Sequence, residues 1–344
     1  MNPMALSILM ISLAIGTATT LASHHWLLAW VGLEINTIAI IPLMTKNFHP
    51  RAVEAATKYF LTQATASALI LLACSYNAWK LGEWSMSEMT SPSSLILSIA
   101  LMTKLGLAPM HFWMPDVLQG IPLSTGLILS TWQKIAPMAL LIQMSHNINL
   151  NLAIAVGVTS ILIGGWGGIG QTQMRKIMAF SSIAHLGWII MVIKFNPSLA
   201  LFSFIVYILL TTAMFSSLIT LSMTNLSQMS TSWSKSPMLT SSMILILLSL
   251  AGLPPLTGFG PKLLISLELV KQGATPLMIL ISLASLLSLF FYLRLAYVMA
   301  LSMAPNTSTF MIKWRTPAKF YLATIFNVLV LLTFPITPIV MILM

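Results

Sequence analysis

Charge is what this sequence has least of. Asp, Glu, Lys and Arg together make up 6% of its 344 residues, against about 25% in an ordinary soluble domain. The first 33 residues carry none of the four, and neither do residues 195–234. Hydrophobic residues reach 58%. A chain of this size cannot keep that much apolar surface from water, so a soluble globular protein is excluded and lipid is the solvent. A single cysteine, Cys74, rules out a disulfide framework and a cysteine-built metal site. No basic stretch precedes the first apolar run, so no cleavable targeting segment is expected. The net charge of +10 comes from 16 basic residues scattered singly. With no basic cluster or aromatic-interleaved stripe, it does not point to nucleic acid.

What the sequence has instead is apolar runs of about 20 residues, the length a helix needs to cross a ~30 Å hydrocarbon core. The runs are continuous rather than alternating, which favours helices over a β-barrel. Eleven spans are expected, at roughly 3–21, 24–45, 55–80, 93–109, 122–144, 149–171, 174–194, 197–222, 238–270, 274–301 and 319–341. The ninth is too long for one straight crossing. It contains AGLPPLTGFGPK at 251–262, whose Pro254, Pro255 and Pro261 must interrupt helical hydrogen bonds. Loops after even-numbered spans hold Lys46, Arg51, Arg175, Lys176, Lys235, Lys313 and Arg315; the others hold Lys80, Lys194 and Lys271 beside Glu83 and Glu88. That asymmetry places the N-terminus on the positive, cytoplasm-like or matrix-like side. Gly165-x-Gly167-x-x-Gly170 fits a dinucleotide fingerprint, but it lies inside an apolar run with no strand before it. Gly164 and Gly168 read better as a helix-packing pair. The sequons at Asn225 and Asn306 are patterns short enough to arise by chance.

Few ionisable groups fall deep within spans. Glu34 lies about ten residues into the second, Lys104 eleven into the fourth, Lys134 twelve into the fifth and His185 eleven into the seventh. Eleven helical residues rise about 17 Å, roughly half the hydrocarbon core. Lys262 joins this depth if the ninth span breaks near mid-membrane. The five would then form a row parallel to the membrane plane. Each has a plainer reading. His185 could be a neutral packing histidine, and Glu34 could sit in a static ion pair. For the set, a pathway is the stronger reading. A mid-bilayer charge costs at least about 2.5–3.5 kcal/mol on insertion scales, and such residues mark ion or proton routes.

Lysine suits such a route because desolvation disfavours a lysine's charged form and a nearby carboxylate restores it. At ~8 Å and an effective dielectric of ~20, one unit charge on another is worth about 2 kcal/mol. Glu34 with Lys104 could therefore act as a switch, with Lys134 and Lys262 passing the effect along. The prolines fit the same reading. Leu107-Ala108-Pro109 and Leu253-Pro254-Pro255 each lie within a few residues of one of these lysines. A broken helix at membrane depth is tolerated where its backbone lines a polar or hydrated cavity, as in secondary transporters built from repeats.

Several stretches are specific enough to carry a resemblance. They are MNPMALSI at the start, LLAWVGLEINTIAIIPLM around Glu34 and EAATKYFLTQATAS with Lys58. TKLGLAPMHFWMPDV around Lys104, STWQKIAP around Lys134, MAFSSIAHLGW with His185 and AGLPPLTGFGPK with Lys262 continue the series. Together these resemble the antiporter-like membrane subunits of respiratory complex I, over essentially the whole chain. The length and the even spread of 25 methionines resemble an animal mitochondrial product. The resemblance implies an all-α integral membrane fold of about eleven helices in two inverted five-helix units, each with one discontinuous helix. It implies a single transmembrane domain over 1–344, with a proton-translocating core at about 23–300 and a C-terminal helix and tail at about 301–344. Glu34, Lys104, Lys134 and Lys262 match the family's central hydrophilic axis, and Lys58 and His185 match residues thought to connect with it. One sister subunit typically has a glutamate where this chain has Lys262, which separates the two.

The resemblance also implies that the chain holds no cofactor. FMN and iron–sulfur clusters belong to partner subunits, and NADH and ubiquinone are substrates of the whole complex. Implied neighbours are the core membrane subunits three, four L and six on one side, subunit four on the other, accessory subunits and the lipid bilayer. The implied location is the mitochondrial inner membrane, with the N-terminus on the matrix side. Three functions compete: a proton-translocating subunit of a redox-driven pump, a stand-alone cation/proton antiporter subunit, and a non-pumping scaffold of the membrane arm.

Overall fold

In a lipid core each backbone N–H and C=O must find its partner within the protein, and a helix achieves this along its own length. The computed structural model describes residues 3–46, 49–86, 88–301 and 321–333. Regular structure among them is helical. Asn306, Lys313, Arg315 and both ends of the last expected span lie outside the described residues. The chain divides into two compact units, Met1–Ser160 with Ile193–Pro197, and Ile161–Val192 with Ser198–Met344.

The first unit contains α1 (Pro3–Ala22), α2 (Trp26–Met44), α3 (Pro50–Leu81), α4 (Ser91–Leu105), α5 (Trp113–Gly120), α6 (Leu123–Ser130), α7 (Trp132–Gln143) and the first half of α8 (Leu150–Ile169). α1 turns Met4, Ile8, Ile11 and Ile15 outward and buries Leu13, Gly16, Thr17 and Thr20. Small residues on the buried side let backbones touch where no hydrophobic effect operates between helices. A Cβ on Gly32 of α2 would stand 2.9 Å from the Gly16 carbonyl oxygen. Buried hydroxyls are satisfied locally, as where Thr17 Oγ1 donates to the Leu13 and Ala14 carbonyls. Asn77 of α3 donates to the Glu88 carbonyl and accepts from the Thr90 N–H and Ser93 hydroxyl, which fixes where α4 begins.

α4 stops at Leu105 rather than at residue 109, because Gly106 takes φ 78°. Its N–H and that of Leu107 turn back to the Thr103 and Met102 carbonyls, each at 3.1 Å. A left-handed residue closes a helix in this way, and glycine adopts it without steric penalty. Pro109, which follows, prevents resumption in register. The expected span at 122–144 has an irregularity at Thr131 (φ −114°, ψ −71°) between α6 and α7, which no residue at that point announces.

The second unit continues with the rest of α8, α9 (Met174–Val192), α10 (Pro197–Leu221), α11 (Leu226–Ser230), α12 (Pro237–Ala251), α13 (Phe259–Lys271), α14 (Thr275–Leu301) and α15 (Tyr321–Leu332). The GxGxxG stretch is helical up to Ile169, and the glycines within this helix are contact points. A Cβ on Gly164 would stand 2.7 Å from the Ala184 nitrogen of α9, and one on Gly168 would stand 2.7 Å from the Phe291 ring of α14. Asn225 begins α11 in a capping box with Gln228. α12 ends as α4 does, with Gly252 at φ 83° and the Leu253 N–H returning to the Leu248 carbonyl. The long ninth span is therefore two helices, as its prolines predict.

The units repeat one device. In the first, His25 bridges Ser85; in the second, Gln173 bridges Asn225. Each joins the turn before the unit's second long helix to the turn after its third. By length and composition α1, α2, α3, the α6–α7 pair, α8, α9, α10 and α14 are long and apolar enough to cross a membrane, while α4, α12 and Ala323–Leu332 are shorter apolar helices.

Candidate functional site

Breaking a helix frees carbonyls, and in each unit polar side chains gather where they are freed. At the α4 break Trp113 Nε1 donates to the Thr103 carbonyl at 3.2 Å. Gln63 Nε2 of α3 lies 3.5 Å from the Lys104 carbonyl. With the nearby carbonyls served by others, the Lys104 side chain is left over. It is 6% exposed, and its Nζ has no hydrogen-bond partner.

Lys104 faces a cavity of about 20 Å³ that is also lined by Asn36, Tyr59, Gln63, Gln133 and Lys134. Lys134 comes from the first turn of α7 and is 3% exposed. Beside it Gln133 Nε2 donates to the Asn36 carbonyl at 2.8 Å and to Tyr59 Oη at 3.3 Å. Glu34 of α2 reaches the cavity through Thr37, a lining residue whose hydroxyl donates to Glu34 Oε2 at 3.2 Å. Glu34 Oε1 has no hydrogen-bond partner. The carboxylate makes no direct ion pair; the ion pairs among the described residues lie elsewhere. Glu34 and Lys104 are thus not locked as a static ion pair.

Lys58 lies apart from this group. It is half-exposed and pairs with Glu54 at 2.9 Å and with Asp116 of α5 at 3.0 Å. The three charges line a separate cavity of about 200 Å³ with Arg51 and Gln119. The Glu54–Lys58 spacing of one helical turn was legible in the sequence; the partnership with Asp116, 58 positions away, was not.

In the second unit His185 of α9 and Lys262 of α13 line one cavity of about 20 Å³ with Ser203, Tyr207, Gly258 and Pro261. Lys262 Nζ donates to the Ala251 carbonyl at 2.8 Å, so this lysine itself caps the end of α12. Its chain passes over Gly252, where a Cβ would stand 2.9 Å from Nζ. His185 Nε2 is 3.5 Å from Tyr292 Oη, and its ring lies 5.9 Å from that of Tyr207.

Of the six sequence-predicted residues, Glu34, Lys104 and Lys134 gather in the first unit and His185 with Lys262 in the second. Those missed about these two buried cavities are neutral: Asn36, Tyr59, Gln63 and Gln133 in one, Tyr207 and Tyr292 about the other. Their signal was an amide or phenol inside an apolar run, weaker than a charge there. No group of three or more His, Cys, Asp or Glu among the described residues could hold a metal ion.

Residues 23–288 match the model of the NADH:quinone oxidoreductase/Mrp antiporter transmembrane family. Residues 289–341 match the NADH dehydrogenase subunit 2 C-terminus. The chain is 66% identical to the NADH-ubiquinone oxidoreductase chain 2 of Aquarana catesbeiana over 98% of both chains. It resembles a chain of respiratory complex I from Thermus thermophilus with TM-score 0.85 and 26% identity, over 97% of this chain and 78% of that one. A chain of the Mrp complex from a Dietzia species shares the fold at TM-score 0.81 and 16% identity, over 96% of this chain and 75% of that one.

Proposed function

The chain belongs to the NADH:quinone oxidoreductase/Mrp antiporter transmembrane family, in its subunit 2 branch, and from that premise we propose which of its residues move protons. It is a membrane subunit of a complex I-type NADH–ubiquinone oxidoreductase, a redox-driven proton pump. The proton-handling groups are Glu34, Lys104 and Lys134 in the first unit and His185 and Lys262 in the second. Lys58, on its exposed ion pair, connects the first group to the aqueous face.

One observation carries this reading: Lys104 is buried in a polar cavity at a helix break with no hydrogen-bond partner. Nothing structural is gained from an ammonium there, and an apolar residue would be less costly. A proton placed on Glu34 cancels the field that carboxylate exerts on Lys104, so the charge of one sets the charge of the other. The Lys104 proton then has Lys134 as a second basic group on the same cavity.

Electron carriers, FMN and iron–sulfur clusters, are assigned to partner subunits, as the resemblance to complex I membrane subunits implies. The location is the mitochondrial inner membrane, supported by the animal relatives. The excess of basic residues in the even loops supports a matrix-side N-terminus. The neighbours are core subunits three, four L, six and four, with accessory subunits.

The test is proton pumping per electron pair by the assembled complex in proteoliposomes with Lys104→Met. Assembly with a fall in pumping is expected. Unchanged pumping and turnover would leave the membrane-arm scaffold as the role of this subunit.

A further inference from the structure

The first unit's cavity contains a group with no assigned role. Asn36 is 2% exposed, and neither its Oδ1 nor its Nδ2 has a hydrogen-bond partner. A buried amide left so is uncommon, and each unmet polar atom is destabilising unless a small polar guest satisfies it. The surroundings hold the carboxamide where it is. Gln133 Nε2 donates to the Asn36 backbone carbonyl at 2.8 Å, tying α7 to α2 at this residue. Oδ1 packs over Gly16 of α1, where a Cβ would collide with it.

The cavity beside it, about 20 Å³, holds one water and little else, since about 10–15 Å³ by this measure admits a single molecule. Three kinds of group meet there: the unpartnered amide, the unpartnered Lys104 ammonium and the Lys134 side chain. Such a water needs two to four polar partners, and these supply them.

We propose that Asn36 is a positioning residue that holds one water between Lys104 and Lys134, and that protons pass between the two lysines through that water. The step balances. An N–H bond of the Lys104 ammonium breaks as an O–H bond forms on the water. A different O–H then breaks as an N–H forms on a neutral Lys134. Asn36 neither gains nor loses a proton; its amide accepts from and donates to the water and so fixes its orientation.

The assignment rests on the lysine reading above, and the experiment separates the two. The assembled complex in proteoliposomes is assayed for pumping rate and for its deuterium solvent isotope effect. Asn36→Leu keeps the volume and removes both polar atoms. Pumping should fall about tenfold, the weight of one well-placed hydrogen bond, with a changed isotope effect. Asn36→Ser, with a hydroxyl and room for a second water, should recover most of the rate. If the leucine variant does not assemble, Asn36→Cys, small and a weak hydrogen bonder, replaces it with the same expected loss. Wild-type pumping and isotope effect in the leucine or cysteine variant overturn the proposal. So does a serine variant as impaired as they are. Lys104→Met is run in parallel. Normal pumping there overturns the lysine reading and this proposal with it, whereas impaired Lys104→Met beside normal Asn36→Leu overturns the Asn36 assignment alone.

Discussion

Replacing Gly252 with alanine tests whether the broken helix serves its lysine. Gly252 ends α12 at φ 83°, where an L side chain costs about 1–2 kcal/mol. The new Cβ would also stand 2.9 Å from both Cδ and Nζ of Lys262. The lysine tip is flexible and gives way, which takes it off the Ala251 carbonyl it now meets at 2.8 Å. A hydrogen bond from a charged donor contributes about 1.5–3 kcal/mol, so the displaced state is a different site. Gly106→Ala supplies the comparison. Its φ of 78° brings the same backbone strain, but its Cβ would meet Met114 Sδ and the Trp113 ring, nearest at 3.2 Å, with no lysine among its closest contacts. Thermal dissociation of the purified complex should show a similar small loss for both variants. Proteoliposome pumping should separate them: at 1.4 kcal/mol per decade, Gly252→Ala loses about tenfold or more, and Gly106→Ala much less. Equal pumping in the two would refute the claim that Lys262 works from the end of α12.

Two further outcomes follow from the packing and the surface charges. Gly32→Leu inserts a side chain where a Cβ alone would stand 2.6 Å from Thr20 Cγ2 and 2.9 Å from the Gly16 carbonyl oxygen. Overpacking costs about 1–3 kcal/mol or more, so the assembled complex should fall sharply on a native gel, and normal assembly would sink the close-contact account of α1 and α2. Lys58→Met removes two solvent-exposed ion pairs, and pairs of this kind are screened by water and contribute little to stability. Thermal stability should therefore barely move while pumping drops, and a large stability loss with normal pumping would make Lys58 a structural clamp between α3 and α5.

Charge in a lipid-length run is a signal that survives without a structure, which is why Glu34, Lys104, Lys134, His185 and Lys262 could be found by their places in the sequence. Lys58 could not be found that way. It lies early in its span, and only the resemblance of EAATKYFLTQATAS to a known family raised it. The helix breaks were legible through Pro109 and Pro254–Pro255, but their position was not. The helices end at Leu105 and Ala251 because the glycine that follows adopts a left-handed φ, three residues before the last proline in each case. The irregularity at Thr131 had no local marker. Asn36 and Gln133 were passed over because an amide in an apolar run is ordinarily satisfied by a neighbouring helix. Whether it is depends on side-chain geometry that periodicity does not carry.

The two breaks face the same problem, freed carbonyls in a non-aqueous setting, and answer it with different chemistry. At α4 the answer is neutral: Trp113 and Gln63 serve the carbonyls of Thr103 and Lys104. The Lys104 ammonium is thereby released from structural duty. At α12 the answer is Lys262 itself, bonded to Ala251. An amine still has N–H donors after losing its proton, so Lys262 can keep that bond in either charge state and change its charge without unmaking the helix end. Lys104 Nζ has no bond to keep, so a change in its charge unmakes no helix end. The first arrangement suits a group that must exchange protons readily, the second a group whose place must survive the exchange. A single fold element repeated in one chain thus gives two lysines with different freedom, and the difference follows from which side chain was left to meet one carbonyl.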